Sequence, residues 1–416
     1  MSAKRIVTAL AAVAASLLAG TAAAPAADGP APPTTASAPF VLADFGFDQG
    51  WRVDRHPRFL ADITGDGRAD IVGFGNAGVF TAVARGDGGF GPAQFVLADF
   101  GFDQGWRIPQ HPRFVTDVNG DGRADIVGIG NAGVFTAMSL GNGGFAPPQF
   151  VLAAFGTGRP FSRFFVADVN ADGRNDLYSS SPRGIDIAIA QADGRYTGPV
   201  FATSEFSTTF NGFPFDAIRV ADVTGDRRAE LLAFRTNGPI RIVTATPRRD
   251  GSGTYPASIP AQSNTTSSPQ LMDAIADITG DSQADLVAFG QVEPGSHSAV
   301  SRFAGTFADF APASETFGAG SGWRADRPRT VVDITGDKRA DIVGFGDAGV
   351  FTAVARGDGG FAPAGFVLAD FGFNSGWRDA LHVRLATDIT GDGRADIVGF
   401  GNAGVFTAVA RGDGGF

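Results

Sequence analysis

An acidic nine-residue segment recurs seven times along this 416-residue chain and constrains its fold more than any other feature. The first copy reads Asp-Ile-Thr-Gly-Asp-Gly-Arg-Ala-Asp and begins at Asp62. The others follow at spacings of 51 to 56 residues and begin at Asp117, Asp168, Asp222, Asp277, Asp333 and Asp388. Residues 62–90 and 388–416 are identical. Regular repetition at this period indicates one supersecondary unit used seven times.

Each copy carries the pattern of four short strands. In the first, these are Arg58–Asp62, Ile71–Gly75, Val79–Arg85 and Phe95–Phe100. They are separated by Asp-Gly, Asn-Ala-Gly and Gly-Asp-Gly-Gly, which are turn sequences. No helical period is present, and four strands per repeat are typical of a propeller blade. The sequence therefore predicts an all-β fold, a seven-bladed β-propeller.

The two ends of the repeat region complement each other. The last copy stops at Phe416 without its FVLADFGF segment, and this segment stands at the front instead, where Phe40–Gly50 matches Phe95–Gly105. An N-terminal strand that completes the last blade would remove an open sheet edge. We expect the ring to be closed in this way.

Composition places the chain among exported proteins. Lys4 and Arg5, an apolar run and a small-residue stretch predict a signal peptide over 1–27, followed by a linker over 28–38 and the propeller over 39–416. The absence of cysteine excludes disulfides and zinc–thiolate sites. The formal charge of −10 argues against nucleic acid as a partner. We expect a secreted protein without membrane insertion.

The acidic segments have the spacing of calcium loops. Oxygen-bearing side chains stand at positions 1, 3, 5 and 9, with glycine at position 6 for the tight turn, but the bidentate Glu of an EF-hand is absent. Four loops keep the glycine, and for these we predict a structural Ca²⁺. In the other three, Arg227, Ser282 and Lys338 replace it, which leaves calcium and a metal-free turn equally open. The predicted ligands are Asp62, Thr64, Asp66, Arg68 (through its carbonyl), Asp70, Asp117, Asn119, Asp121, Asp125, Asp168, Asn170, Asp172, Asp176, Asp388, Thr390, Asp392 and Asp396.

The rarest residue types occupy fixed positions of the repeat. All four tryptophans follow Gly and precede Arg, three of the four histidines lie five residues after a Trp, and an Asn-Ala-Gly turn lies 20 residues after each of those histidines. An indole face can cover the C–H face of a sugar, while Arg, His and Asn can bond its hydroxyls and acetamide. The predicted sugar-binding residues are Trp51, Arg52, His56, Arg58, Asn76, Trp106, Arg107, His111, Arg113, Asn131, Trp323, Arg324, Trp377, Arg378, His382, Arg384 and Asn402.

The alternative is that Trp and His pack the blades. Blades 3 to 5 lack the Trp, the paired His and the Asn turn but keep the acidic loops, which we interpret as evidence for a binding site rather than packing. Blade 6 is intermediate, since Arg327 stands at the histidine position and Asp347 at that of Asn76. In a closed ring, blades 6, 7, 1 and 2 form one arc.

Two resemblances follow from these motifs. The acidic loop with its strand and Phe-Gly turn resembles the FG-GAP repeats of integrin-type propellers over about residues 39–416. The combination Gly-Trp-Arg, His-Pro-Arg-Phe and Gly-Phe-Gly-Asn-Ala-Gly-Val resembles fungal lectins of the Psathyrella velutina type. The second resemblance implies binding of terminal N-acetylglucosamine, with sialic acid as a second ligand, at sites between neighbouring blades. The expected function is that of a multivalent lectin that binds glycans.

Two other function classes compete with a lectin. An enzyme is disfavoured because no GxSxG, HExxH or P-loop motif occurs, although Asp54 beside the first motif would be the candidate acid or base. An integrin-type propeller that mediates adhesion to proteins is the alternative, and binding that survives free N-acetylglucosamine would favour it. Arg-Gly-Asp triplets start at Arg85, Arg356 and Arg411, where we predict tight β-turns.

Overall fold

The computed structural model describes residues 37–156, 163–181, 183–204, 217–234, 241–243, 259–260, 273–290, 295–302 and 305–416. The predicted signal peptide and residues 28–36 of the predicted linker lie outside the described residues. Within them the chain is an all-β propeller, whose helical content is a 3₁₀ turn at Ala319–Ser321.

The strands form seven antiparallel four-stranded sheets, which we number in chain order of their acidic loops. Strand β1 is Phe40–Leu42. Sheet 1 holds β2 to β5, at Arg58–Ala61, Asp70–Phe74, Val79–Ala82 and Gln94–Leu97. Sheet 2 holds β6 to β9, at Arg113–Thr116, Asp125–Ile129, Val134–Ala137 and Gln149–Leu152. Sheet 3 holds β10 to β13, at Arg163–Ala167, Asp176–Ser181, Gly184–Ala188 and Val200–Thr203.

The remaining sheets repeat this order. Sheet 4 holds β14 to β17, at Ala217–Ala221, Glu230–Phe234, Arg241–Val243 and Ile259–Pro260. Sheet 5 holds β18 to β20 and β23, at Ala274–Ala276, Asp285–Phe289, Ser296–Ala299 and Ala311–Ser314, with a small β21–β22 ribbon at Ser301–Arg302 and Thr306–Phe307. Sheet 6 holds β24 to β27, at Arg329–Val332, Asp341–Phe345, Val350–Ala353 and Gly365–Leu368. Sheet 7 holds β28 to β30, at Val383–Thr387, Asp396–Phe400 and Val405–Ala408, together with β1.

Burial falls from the second strand of a sheet to the fourth. All five residues of β3 are buried, whereas β5 has two exposed residues. The first strands of neighbouring sheets contact each other, as β2 does with β6 and with β28. Apolar cores lie between sheets rather than within one, since Ile71 of sheet 1 packs in the same cluster as Val398 of sheet 7. Continuous apolar strands such as Ile71–Phe74 are expected where both faces are covered.

The N-terminal strand pairs with the end of the chain. Phe40 lies opposite Phe406 and Leu42 opposite Val405, so β1 is the outer strand of sheet 7. The FVL segment therefore takes the place in sheet 7 that Gln94–Leu97 takes in sheet 1.

Backbone hydrogen bonds link each sheet to the one before it. The N–H of Ala69, just after the first acidic loop, donates to the carbonyl of Asp388 in sheet 7 at 2.8 Å. The same bond joins all other neighbours, with the donors Ala124, Asn175, Ala229, Ala284, Ala340 and Ala395 and the acceptors Asp62, Asp117, Asp168, Asp222, Asp277 and Asp333.

The two ends of the strands carry different parts of the repeat. The acidic loop joins the first strand to the second and lies, with the Arg85–Gly89 turn, at what we call the loop end. The Asn76–Gly78 turn joins the second strand to the third and lies, with the Trp-containing segment before the next first strand, at what we call the turn end.

Candidate functional site

The four tryptophans are buried in the cores between sheets. Trp51, Trp106, Trp323 and Trp377 are only 6 to 9% exposed. The Trp51 ring lies 4.9 Å from Phe45 and 5.8 Å from Phe80, and its indole N–H donates to Asp44 at 3.1 Å. The open indole face that we expected for sugar stacking is absent at all four positions.

Each tryptophan depends on a glycine in the second strand of its own sheet. A Cβ built on Gly73 would stand 2.5 Å from Cη2 of Trp51, and the same close approach occurs at Gly128, Gly344 and Gly399. The sheets without Trp carry Ser179, Ala233 and Ala288 at this position. Trp and Gly therefore change together because the indole needs the space above the strand. Loss of Trp from sheets 3 to 5 does not indicate a binding role, which corrects our interpretation of the sequence.

The predicted histidines and asparagines are paired. His56 is 3% exposed, and its Nδ1 accepts the backbone N–H of Arg52 at 3.1 Å. Nδ1 therefore carries no proton, and Nε2–H donates to Oδ1 of Asn76 at 2.8 Å. The pairs His111–Asn131 and His382–Asn402 repeat this at 3.0 and 2.8 Å. Burial lowers the pKa of His56 and of His382 below the ordinary histidine value, although the bond to Asn opposes this.

The first group of predicted arginines holds the segment around each Trp. Arg52 is half-buried, donates to the carbonyl of Phe47 at 2.6 Å and lies over the Phe47 ring at 3.8 Å. Arg107 and Arg378 lie in the same way over Phe102 and Phe373. Arg324 of sheet 6 is the exception, because its side chain is 67% exposed.

The second group of predicted arginines is buried and cannot reach a sugar at the surface. Arg58 and Arg113 each donate one bond to a backbone carbonyl, while Nε and Nη2 have no partner among the described residues. Burial lowers the pKa of both to about 10, so both stay charged at neutral pH. Arg384 differs because Asp379 accepts from its Nη2.

Sheet 6 replaces the His–Asn pair with a charged pair. Arg327 Nε donates to Oδ1 of Asp347 at 2.5 Å, and Arg327 also contacts Asp326 at 2.7 Å. The exposed Arg324 lies 3.9 Å from Oδ2 of Asp347, whose side chain is 49% exposed.

The structure shows which neighbours meet at the turn end. The turn of sheet 1 is hydrogen-bonded to the segment that precedes Trp106. The backbone N–H of Phe102 donates to the carbonyl of Gly75, and that of Asp103 donates to the carbonyl of Asn76 at 2.9 Å. Gln104 adds a side-chain bond to the carbonyl of Ala77 at 3.1 Å. Each junction is therefore built from the turn of one sheet, with the buried side chain paired to it, and the pre-Trp segment of the next.

Three junctions of this kind are described in full. The junction between sheets 7 and 1 brings Asn402 to Asp48, and that between sheets 6 and 7 brings Asp347 to Asn374. The junction after Asn131 leads into residues 157–162, which lie outside the described residues. At the junction of sheets 1 and 2, Asn76, Asp103 and Gln104 are exposed beside the half-buried Phe102.

The sequence analysis missed Asp48, Gln49, Asp103 and Gln104. The signal was available, because Phe-Asp-Gln-Gly-Trp occurs at both 47–51 and 102–106 directly before the tryptophan. These exposed amides and carboxylates, with the turn Asn, form a surface of hydrogen-bonding groups next to a half-buried phenylalanine whose ring lies under an arginine. Such a surface suits a polar ligand with one apolar face.

The acidic loops are closed by their own side chains. Asp62 accepts backbone N–H groups from Thr64, Gly65 and Gly67, at 2.6 to 3.1 Å. The buried Asp70 accepts from Ile63 and Ala84. Asp66 is paired with the Arg68 guanidinium. Burial raises the pKa of Asp70 to about 7, and the charges of Asp62 and Asp66 add to this.

These bonds bear on the calcium prediction. Among the described residues, no three His, Asp or Glu side chains are grouped as a metal site. The loop supplies hard oxygen atoms, but Asp62 and Asp70 use theirs on backbone N–H groups and Asp66 faces Arg68. As it stands, the donor set does not form a calcium cage, and calcium stays a prediction.

The three loops without glycine at position 6 keep the same turn. Arg227, Ser282 and Lys338 have φ of 67° to 69°, in the left-handed region. Their N–H groups donate to Asp222, Asp277 and Asp333 at 2.7 Å, as Gly67 does to Asp62. Side chains other than glycine adopt this conformation at a cost.

A shallow cavity of about 260 Å³ lies at the opposite, loop end, between sheets 7 and 1. Its lining includes Pro39, Val41, Arg85, Asp87, Thr407 and Val409. Arg85 and Asp87 belong to a turn in which Arg85 N–H donates to Gly89, as predicted for this triplet. The cavity shares no residue with the His–Asn junctions.

Comparisons with known proteins agree with this fold. A family model for the FG-GAP-like repeat matches residues 117–179 and 168–233. The chain is similar to an Agrocybe aegerita lectin whose structure concerns specific recognition of non-reducing terminal N-acetylglucosamine, with 32% identity, 90% of this chain and 82% of that chain covered, and a TM-score of 0.52. The Photorhabdus luminescens Tc holotoxin pore shares the fold at 16% identity, with 80% of this chain and 16% of that chain covered and a TM-score of 0.50. The search of curated proteins found no match.

The described part of the chain also bears on the membrane prediction. In this part no helix has the length and apolar character needed to cross a membrane.

Proposed function

Because the chain belongs to the same family as the Agrocybe aegerita lectin, we propose that it is a multivalent lectin that binds terminal N-acetylglucosamine between neighbouring sheets. One observation carries this proposal: the exposed Asp103 and Gln104 of one sheet are hydrogen-bonded to the carbonyls of the exposed Asn76 and Ala77 in the turn of the sheet before it. The junction offers hydrogen-bond donors, acceptors and an apolar ring without a catalytic step.

We propose that the seven sheets are the blades of one closed ring. The hydrogen bond from Ala69 to Asp388 and the pairing of β1 with β30 both join the first part of the chain to the last. In such a ring sheets 6, 7, 1 and 2 are consecutive. Several weak sites on one rigid arc can gain about 10²–10⁴ in apparent affinity for a glycan-coated surface.

The chemistry of the junction supports N-acetylglucosamine as the ligand. Asn76 Oδ1 is engaged by His56, so its amide nitrogen is the group left to donate. An acetamide carbonyl is an acceptor that fits this donor. Asp103 and Gln104 can bond sugar hydroxyls, and the part of the Phe102 ring that Arg107 leaves uncovered can contact a methyl group. Sialic acid, which also carries an acetamide, is a second ligand of the same proposal.

The experiment measures binding of the protein to a surface that presents terminal N-acetylglucosamine, with and without the free sugar. The test variant is Asp48→Ala/Asp103→Ala, which removes two exposed carboxylates at the turn end. The matched control is Asp87→Ala/Asp358→Ala, which removes two exposed carboxylates at the loop end. We expect the test variant to lose binding and the control to keep it.

The same experiment separates the alternatives. A second set of binding measurements uses a surface that presents sialylated glycans. An integrin-type adhesion function, which the FG-GAP-like repeats leave open, predicts binding to a protein partner that survives excess free sugar. Equal binding by both variants, or no binding to any glycan, would contradict the lectin proposal.

We propose calcium as a structural ion of the loops starting at Asp62, Asp117, Asp168 and Asp388. Their oxygen donors at alternate positions support this. Binding would require the guanidinium of Arg68 to move away from the carboxylate of Asp66. The equivalent Arg–Asp pairs of the other three loops would have to separate in the same way. An increase of the melting temperature on addition of Ca²⁺ is the expected result, and it should be smaller in Asp66→Ala, which removes a ligand from one of the four loops. An unchanged melting temperature in the wild type would leave the loops as metal-free turns.

We also propose that residues 1–27 direct secretion. The basic start and the apolar run Ile6–Leu18 support this. The expected result is exported protein whose mass corresponds to a chain that begins after residue 27. Retention of the full-length chain in the cell would contradict it.

A further inference from the structure

The junction between sheets 6 and 7 differs from its neighbours in hydrogen-bond polarity. In sheets 1 and 7 the turn carries Asn76 and Asn402, whose Oδ1 atoms accept from histidine. Within the described residues, neither amide nitrogen has a hydrogen-bond partner, and both residues are exposed. These junctions therefore present a donor at the turn.

Sheet 6 presents an acceptor at the same place. Asp347 gives Oδ1 to Arg327 Nε, and its Oδ2 lies 3.9 Å from the exposed Arg324, beyond a direct hydrogen bond. An ionised carboxylate has no proton to donate. The turn of this junction can accept from a ligand but cannot donate to it.

The partner segments show the reverse change. The backbone N–H groups of Asp48 and Asp103 donate to the carbonyls of the turn asparagines, while the N–H of Asn374 donates to the carbonyl of Asp347. In the sheet 6–7 junction the turn therefore carries Asp and the pre-Trp segment carries Asn, whereas in the other two junctions the turn carries Asn and the pre-Trp segment carries Asp. The buried partner has changed as well, since Arg327 replaces a histidine and keeps a donor directed at the turn residue.

We propose that the sheet 6–7 junction is a sugar site of different specificity, for a saccharide that offers a hydroxyl or an ammonium where N-acetylglucosamine offers its acetamide carbonyl. This rests on the lectin function proposed above. A carbonyl oxygen placed against Oδ2 of Asp347 would set one acceptor against another, and Arg324 could donate to it only by turning away from Asp347. An unmade bond of this kind costs about 1–3 kcal/mol. N-acetylglucosamine should therefore bind this junction about 5- to 150-fold more weakly than its neighbours.

Two isosteric substitutions test the proposal in opposite directions. Asp347→Asn keeps an oxygen for Arg327 Nε and adds a free amide donor. Asn76→Asp keeps an oxygen for His56 Nε2 and removes the donor. Neither change alters the side-chain volume appreciably, and thermal unfolding checks that both variants fold.

The readout is the number of sugars bound per chain in equilibrium dialysis. With N-acetylglucosamine, we expect Asp347→Asn to bind one molecule more than the wild type and Asn76→Asp one fewer. In separate arms, glucosamine tests the ammonium and glucose tests the hydroxyl. We expect wild-type binding of at least one of the two, and its loss in Asp347→Asn.

The outcomes separate this proposal from the lectin function. If the wild type binds no N-acetylglucosamine, both the proposed lectin function and this proposal are overturned. If the wild type binds it but neither variant changes the count, only the specificity proposal is overturned. Failure of both glucosamine and glucose to bind would overturn it too. If Asp347→Asn does not fold, the loss expected in Asn76→Asp still decides.

Discussion

The two ends of the propeller vary in different ways along the chain. At the loop end the acidic turn is the same in all seven repeats, even where Arg227, Ser282 or Lys338 replaces glycine. At the turn end residues change in sets: Trp with Gly, His with Asn, and in sheet 6 Arg with Asp. A feature that keeps its geometry under substitution belongs to the fold. Surface groups that change together with buried partners are where binding can diversify.

The largest expected effect comes from a tryptophan at the turn end. Trp51→Ala should lower the free energy of unfolding by about 3–5 kcal/mol, because it leaves a cavity between sheets 7 and 1. Denaturant unfolding measures this. Unchanged stability with a specific loss of sugar binding would instead make the indole a ligand platform.

The glycine partner gives the next effect. Gly73→Ala places a methyl group 2.5 Å from Trp51 Cη2 and should destabilise by about 1–3 kcal/mol. Ala288 occupies the equivalent position in sheet 5, where no Trp is present, so Ala288→Gly serves as the control and should cost less. If Gly73→Ala is neutral, Trp and Gly are not coupled by packing.

At the loop end, position 6 allows a reciprocal test. Lys338→Gly should stabilise the protein by about 1 kcal/mol, because glycine adopts a φ of 69° without the strain of a side chain. Gly67→Lys should destabilise by a similar amount. The melting temperatures of both variants test this. An increase of the melting temperature in Gly67→Lys would contradict the conclusion that the two loops have the same backbone geometry.

The smallest effect is a pH dependence of sugar binding at the turn end. His56 has a lowered pKa, because it is buried and Arg58 and Arg55 oppose its charge, while Asp54 favours it. A lowered pKa in the folded state means that the contribution of neutral His56 is present above pH 6.5 and is lost as the pH falls. A second proton on Nδ1 would face the Arg52 N–H. N-acetylglucosamine binding should therefore weaken as the pH falls below 6.5 and His56 takes up its second proton.

A matched variant isolates this effect. In Asp347→Asn the new donor is held by Arg327, which does not titrate in this range. Binding at that junction should stay constant while the His–Asn junctions weaken. Equal pH profiles for all junctions would remove His56 and His382 as the cause.

The sequence predicted the strands of the repeat closely but assigned sugar contact to several side chains that the structure buries. Strand positions followed from apolar runs between glycine-rich turns, and Val79–Ala82 lies within the predicted Val79–Arg85. Burial of Trp51 depends on Gly73, 22 residues later, which is a tertiary contact that a local motif does not reveal. The exposed Asp103 was missed because only the fold brings the turn of the preceding sheet beside it.

The most direct measurement is a crystal structure of the protein with N-acetylglucosamine. We predict sugar at the turn end between sheets 1 and 2, in contact with Asn76 and Asp103, and between sheets 7 and 1, in contact with Asn402 and Asp48. Sugar stacked on Trp51, or sugar in the loop-end cavity beside Arg85 and Asp87, would contradict it.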